Sequence, residues 1–166
     1  MNGRQLSVPA AVLGGVFLAA SIAPARAQPP IELVSGCLVE SIAPLRLSEL
    51  AQAIARCEQV TGDALSSREL RGQAFGQRGL LYAKRWSIVE TEQDAVQGIA
   101  DITEGLRLHN PEKAKKRHLL NIRGQLYLAT GQHKKAADDF KAILAEAPDN
   151  ETARAGLKKT GTPENY

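Results

Sequence analysis

Apolar residues recur along most of this chain at intervals of three and four, which places them on one face of an α-helix. Leu50, Ile54 and Cys57 form the first stripe, at i, i+4 and i+7. They predict a helix from Glu49 to about Val60, with Ser48 as its cap and Thr61-Gly62-Asp63 as its stop. Ser66 and Glu69, three apart, have the form of a capping box. The helix they open is predicted from Ser67 to about Lys84, with Leu70, Ala74, Phe75, Leu81 and Tyr82 keeping the rhythm. After a connection around Arg85 to Glu92, a third helix runs from Gln93 to Leu108, with Ile99, Ile102 and Leu106 inward.

Asn110-Pro111-Glu112 has the order of a helix start: cap residue, proline at the first helical position, acid in the first turn. That helix is predicted to reach Thr130 and to end at Gly131. Another spans about His133 to Ala147 and stops at Pro148. Asp149 or Asn150 then caps a short helix, Glu151 to Lys159, and Thr160 to Tyr166 is a frayed tail. No strand pattern appears, so the expected class is all-α, built from helix–turn–helix pairs.

The first 46 residues read differently. Arg4, the uncharged run Val8–Ile22 and the small-x-small site Ala25-Arg26-Ala27 are the three parts of a secretory signal peptide over residues 1–27. The run falls short of the roughly 20 residues a spanning helix needs. The expectation is therefore an exported, periplasmic chain, soluble once cleaved before Gln28. Residues 28–46 hold three prolines and no clear period, and read as a loosely structured linker.

Removing the leader changes the charge. The full chain has 21 Lys and Arg against 18 Asp and Glu. Without Arg4 and Arg26 the balance falls to +1, which is no nucleic-acid signature. Charge is uneven, −3 over residues 28–109 and +4 over 110–166. Aromatic content is only 4%, so the core must come mainly from Ala, Leu and Ile, which suits packed helices.

Cys37 and Cys57 are the only cysteines. Export allows them to pair, closing a loop of about 20 residues worth roughly 3 kcal/mol. Two separate buried thiols are the alternative. Val34-Ser35-Gly36-Cys37 also has the form of a lipobox, displaced from the apolar run; a lipid on Cys37 would tether the chain to a membrane and exclude the disulfide.

The chain is similar to itself. Phe75-Gly76-Gln77-Arg78-Gly79-Leu80-Leu81-Tyr82 matches Leu120-Asn121-Ile122-Arg123-Gly124-Gln125-Leu126-Tyr127, both carrying Arg-Gly-x-Leu-Tyr 45 residues apart. In the helices that follow, Ile99-Ala100-Asp101-Ile102 likewise matches Ala137-Asp138-Asp139-Phe140. These residues resemble the tetratricopeptide-repeat (TPR) family. The better copy is about 117–150, with Leu120, Gly124, Tyr127, Gly131, Ala136, Phe140 and Pro148 at the family's spacings. A poorer copy, 72–110, matches only if about seven extra residues, including Trp86, sit between its helices. Glu49–Thr61 resembles part of an earlier repeat, and Glu151–Lys159 a terminal cap. The resemblance implies a short right-handed α-solenoid over residues 47–159.

It also implies a concave groove that holds a protein or peptide partner, as an adaptor or scaffold. Gln77, Leu80 and Lys84 would approach it from the first full repeat, Asn121, Gln125 and Leu128 from the second, and Lys159 from the cap. Trp86 is either an exposed anchor for a partner or packs back on the helices. Lys113, Lys115, Lys116 and Arg117, with His118, form the densest charge and could meet an acidic segment or anionic headgroups. The other expected role is an envelope-associated accessory subunit.

Catalysis has little support in the residues. The histidines at 109, 118 and 133 lie in no metal-binding spacing, and neither a G-x-S-x-G turn nor a phosphate loop occurs. Asp138-Asp139 is expected on a solvated face, since helix neighbours point about 100° apart. No catalytic, cofactor or metal residue is therefore expected.

Overall fold

The computed structural model describes residues 29–39, 41–42 and 44–162; the signal peptide expected over 1–27 and the tail residues 163–166 lie outside them. The described residues form seven helices: α1 (Ile31–Cys37), α2 (Leu47–Gly62), α3 (Arg68–Val89), α4 (Glu92–Leu108), α5 (Lys113–Ala129), α6 (His133–Glu146) and α7 (Glu151–Lys159). No strand occurs among them. The class is all-α.

The helix starts differ from the expected ones for local reasons. Ser48 is not the cap of α2. The Arg46 backbone N–H instead donates to the Glu49 side chain at 2.7 Å, and Ser48 falls inside the first turn. The cap of α3 is Ser67, whose hydroxyl accepts from the Leu70 N–H at 3.0 Å, while Ser66 turns back to donate to Asp63. Asn110-Pro111-Glu112 stays outside α5, with no side-chain cap. Asn150 caps α7 as the sequence suggests, accepting from the Ala153 N–H at 2.9 Å.

Two larger departures matter for the site. The expected linker contains α1. Seven residues cannot hold a helix alone, so contacts decide it. Leu33 and Val34 pack against a cluster containing Leu50, Cys57 and Val60. Cys37 and Cys57 form a disulfide, with Cα atoms 4.6 Å apart and both residues fully buried. The second departure is the stretch expected to connect α3 and α4. Helix α3 continues through it to Val89, and the chain reverses at Glu90, in the left-handed region at φ 55°, and Thr91. Residues 85–89 lengthen a hairpin instead of forming a loop.

Each helix packs on its neighbours in sequence, and α1, α3, α5 and α7 also touch in succession. Among the described residues, α2, α4 and α6 do not contact one another. Three apolar clusters run through the stack, bridged where Ile99 and Leu106 reach two of them. Glycines set the closest approach. A Cβ at Gly105 would lie 2.7 Å from the Gly76 backbone nitrogen, so α3 and α4 meet backbone to backbone. In α5 and α7, Gly124 and Gly156 flank the fully buried Phe140 ring.

Candidate functional site

Two matching polar rungs set the attitude of α3 and α5. Arg78 on α3 grips Asp101 on α4 through two hydrogen bonds, at 2.6 and 2.8 Å, and its third nitrogen donates to Thr61 on α2 at 3.1 Å. Arg123 on α5 does the same with Asp139 on α6, at 2.8 and 2.6 Å, and with Thr103 on α4 at 3.0 Å. Each arginine ties three successive helices. An aromatic ring lies beside each guanidinium, Phe75 at 5.2 Å and Tyr127 at 5.8 Å. A further fork joins Arg85 to Asp94 near the tip of the long hairpin.

The carboxylate bonds hold Arg78 and Arg85 above the ordinary arginine pKa. Burial alone would lower Arg123, but the Asp139 bonds outweigh it and raise it too. The Arg85 fork holds Asp94 below its usual value. Asp139 is therefore no member of a solvated face: it is buried in a rung, and only Asp138 is exposed.

Between α3 and α5 lies a groove of about 730 Å³. Leu80, Ala83, Ile122 and Leu126 line it with apolar surface, and Trp86 and Ser87 line its α3 side. The remaining wall comes from Leu38, Val39, Ser41 and Ile42, the stretch just after Cys37. Lys84, Lys115, His118 and Gln125 supply the polar groups. No described lining residue is acidic, and neither lysine nor His118 forms a salt bridge among the described residues.

Of the residues the sequence assigned to a groove, Gln77, Leu80, Lys84 and Gln125 line it, and so does Trp86. Trp86 is half-buried against the cluster of Ile102, Leu119 and Leu126 while facing the groove. Asn121, Leu128 and Lys159 do not line it. Leu128 packs on the Phe140 cluster, the Asn121 Oδ1 is buried with no partner among the described residues, and Lys159 is exposed on α7. Gln77 is also less free than expected: it is buried, and its Nε2 donates to the Val39 carbonyl at 3.1 Å.

The basic cluster does not act as one patch. Lys115 and His118 face the groove, Lys116 lies 3.8 Å from Glu146, and Lys113 is exposed outside it. Arg117 is half-buried and lies outside the groove lining. The sequence missed the wall formed by Leu38, Val39, Ser41 and Ile42, since an aperiodic proline-rich stretch carries no signal of where it docks. The expected disulfide was the one available clue.

No described helix is long and apolar enough to cross a membrane, and no described cluster of His, Cys, Asp and Glu is placed to hold a metal. No family model, curated protein or solved structure matches the chain.

Proposed function

We propose that this chain is an exported, TPR-like binding protein that holds an extended segment of a partner protein in the groove between α3 and α5. The observation that carries the reading is the lining itself: an apolar surface with the only tryptophan at one side and the cationic side chains Lys84 and Lys115. Such a surface complements a segment that alternates apolar side chains with carboxylates. The TPR-like reading draws support from the paired packing of successive helices and the contacts among α1, α3, α5 and α7. Export draws support from the leader pattern and from a disulfide compatible with an oxidising compartment. A lipid-tethered subunit would need the Cys37 thiol, which is bonded to Cys57.

Peptide selection on the immobilised protein tests this. Selected peptides should carry aliphatic or aromatic residues among Asp and Glu, and should shift the Trp86 emission. They should weaken on a Lys84→Glu/Lys115→Glu variant that melts like the wild type. Peptides that leave Trp86 unchanged and bind both proteins equally would place the binding surface elsewhere.

A further inference from the structure

We propose that the groove is completed by oxidation: the Cys37–Cys57 disulfide fixes the stretch that forms its third wall, so full binding belongs to the disulfide-bonded chain. The inference rests on the groove reading above and adds how the site is made.

Leu38, Val39 and Ile42 line the groove within five residues of Cys37. Three things hold them. The disulfide anchors the end of α1 to α2. The Gln77 amide bonds the Val39 carbonyl from the floor helix. Leu38, Val39 and Ile42, each half-buried, pack on the cluster around Leu50 and Leu81. Helix α1 adds little hold of its own, because seven residues are below the length at which a helix persists unaided. The bond closes a separation of 20 residues. Opening that loop lowers the equilibrium for keeping the wall docked by about 200-fold in the chain-entropy model.

Both cysteines are fully buried, so the step belongs to folding and is not a toggle in the folded protein. The two thiols lose two protons and two electrons to a disulfide oxidant, which leaves as two thiols, and the Sγ–Sγ bond forms. The wall then docks and the cationic, apolar groove closes on three sides.

The test compares the oxidised full chain with Cys37→Ser/Cys57→Ser, using a synthetic peptide of alternating Leu and Glu as probe and Trp86 emission as readout. The oxidised protein should bind the probe. The variant should bind at least about tenfold more weakly, since its competent fraction falls, and its free-state Trp86 emission should shift to the red. Amide exchange at Leu38, Val39 and Ile42 should accelerate while α5 and α6 stay protected. Equal binding by the folded variant overturns the inference and leaves the groove reading intact. No binding by the oxidised protein overturns the groove reading and the inference with it. If the serine variant does not fold, Cys37→Ala/Cys57→Val removes the bond without burying two hydroxyls. It should weaken the probe by about tenfold and speed exchange at the same residues; no change in either overturns the inference.

Discussion

The Arg123 guanidinium holds both carboxylate oxygens of Asp139 from sixteen residues away, and it does so with an arginine only 15% exposed and an aspartate 7% exposed. Arg78 and Asp101 repeat this fork one helix pair earlier. In both places the third arginine nitrogen reaches a threonine on the preceding pair, Thr103 or Thr61. A bond confined to one helical hairpin would leave the next free to rotate. This arrangement couples each pair to its predecessor, and so fixes the angle at which α3 and α5 flank the groove.

Breaking one rung should be costly because it leaves a buried charge unpaired. Arg123→Met is expected to lose about 3–5 kcal/mol of unfolding free energy, measured by urea denaturation. Adding Asp139→Leu should restore a large part of that loss, since an apolar pair of similar volume needs no partner charge. Simple additivity of the two changes would show that the residues are not coupled.

The Phe140 ring fills the space left by Gly124 and Gly156. Phe140→Ala should cost about 3–5 kcal/mol. Gly124→Ala should cost about 1–3 kcal/mol by overpacking, because the added Cβ would lie 2.8 Å from the ring. Combined with Phe140→Leu, the Gly124→Ala cost should shrink. Equal cost on both backgrounds would mean the ring is not the obstacle.

Acid should weaken the hairpin tip. The Arg85 fork lowers the Asp94 pKa from its ordinary 3.8, so the folded carboxylate binds its proton less readily than the unfolded one. The stabilisation is complete above pH 3.8 and is lost as pH falls through the lowered folded value. Unfolding free energy followed from pH 6 down to pH 2 should decline below about pH 4, and Asp94→Asn should flatten that decline. An unchanged profile in the variant would remove the fork as a source of pH dependence.

The disulfide should be detectable in two independent ways. Thiol titration of the denatured, unreduced chain should find no free cysteine, as both are bonded. Cys37→Ser/Cys57→Ser should melt about 10 °C lower, from about 3 kcal/mol of lost loop constraint. Two titratable thiols at wild-type melting temperature would contradict the pairing.

The charge of the groove should set its preference. Lys84→Glu/Lys115→Glu should weaken the alternating Leu–Glu peptide by at least about tenfold and favour one of Leu and Lys, read from Trp86 emission in low salt. The substituted side chains are not part of the buried core, so melting should move little. A peptide preference that ignores the substitution would exclude these lysines from the contact.

Much of the framework was legible in the sequence. The period of three and four, with cap, proline and glycine signals at the helix ends, gave six of the seven helices, because a buried stripe and a helix end are both local patterns. The repeated Arg-Gly-x-Leu-Tyr marks the two similar stretches in the sequence alone, and it contains both rung arginines and the close-packing Gly79 and Gly124. The role of those arginines was not legible. Their aspartates are 23 and 16 residues away, and a charge on a helix reads as solvated until its partner is placed opposite.

By itself the sequence determined the helical class and the cysteine pair open to bonding; Gln77, Leu80, Lys84 and Gln125, which the TPR resemblance turned toward a groove, line the cavity between α3 and α5, as Trp86 does. Tertiary structure decided the rest. It turned the expected linker into α1 and a groove wall, because docking on Leu50 and Val60 outweighs the weak helix propensity of a short segment. It carried α3 five residues past its expected end at Lys84, to Val89, where Arg85 meets Asp94 across the hairpin. It drew Asn121 and Leu128 away from the groove, since facing direction within a repeat depends on how each helix rolls against its neighbours, and that rotation is set by contacts distant in sequence.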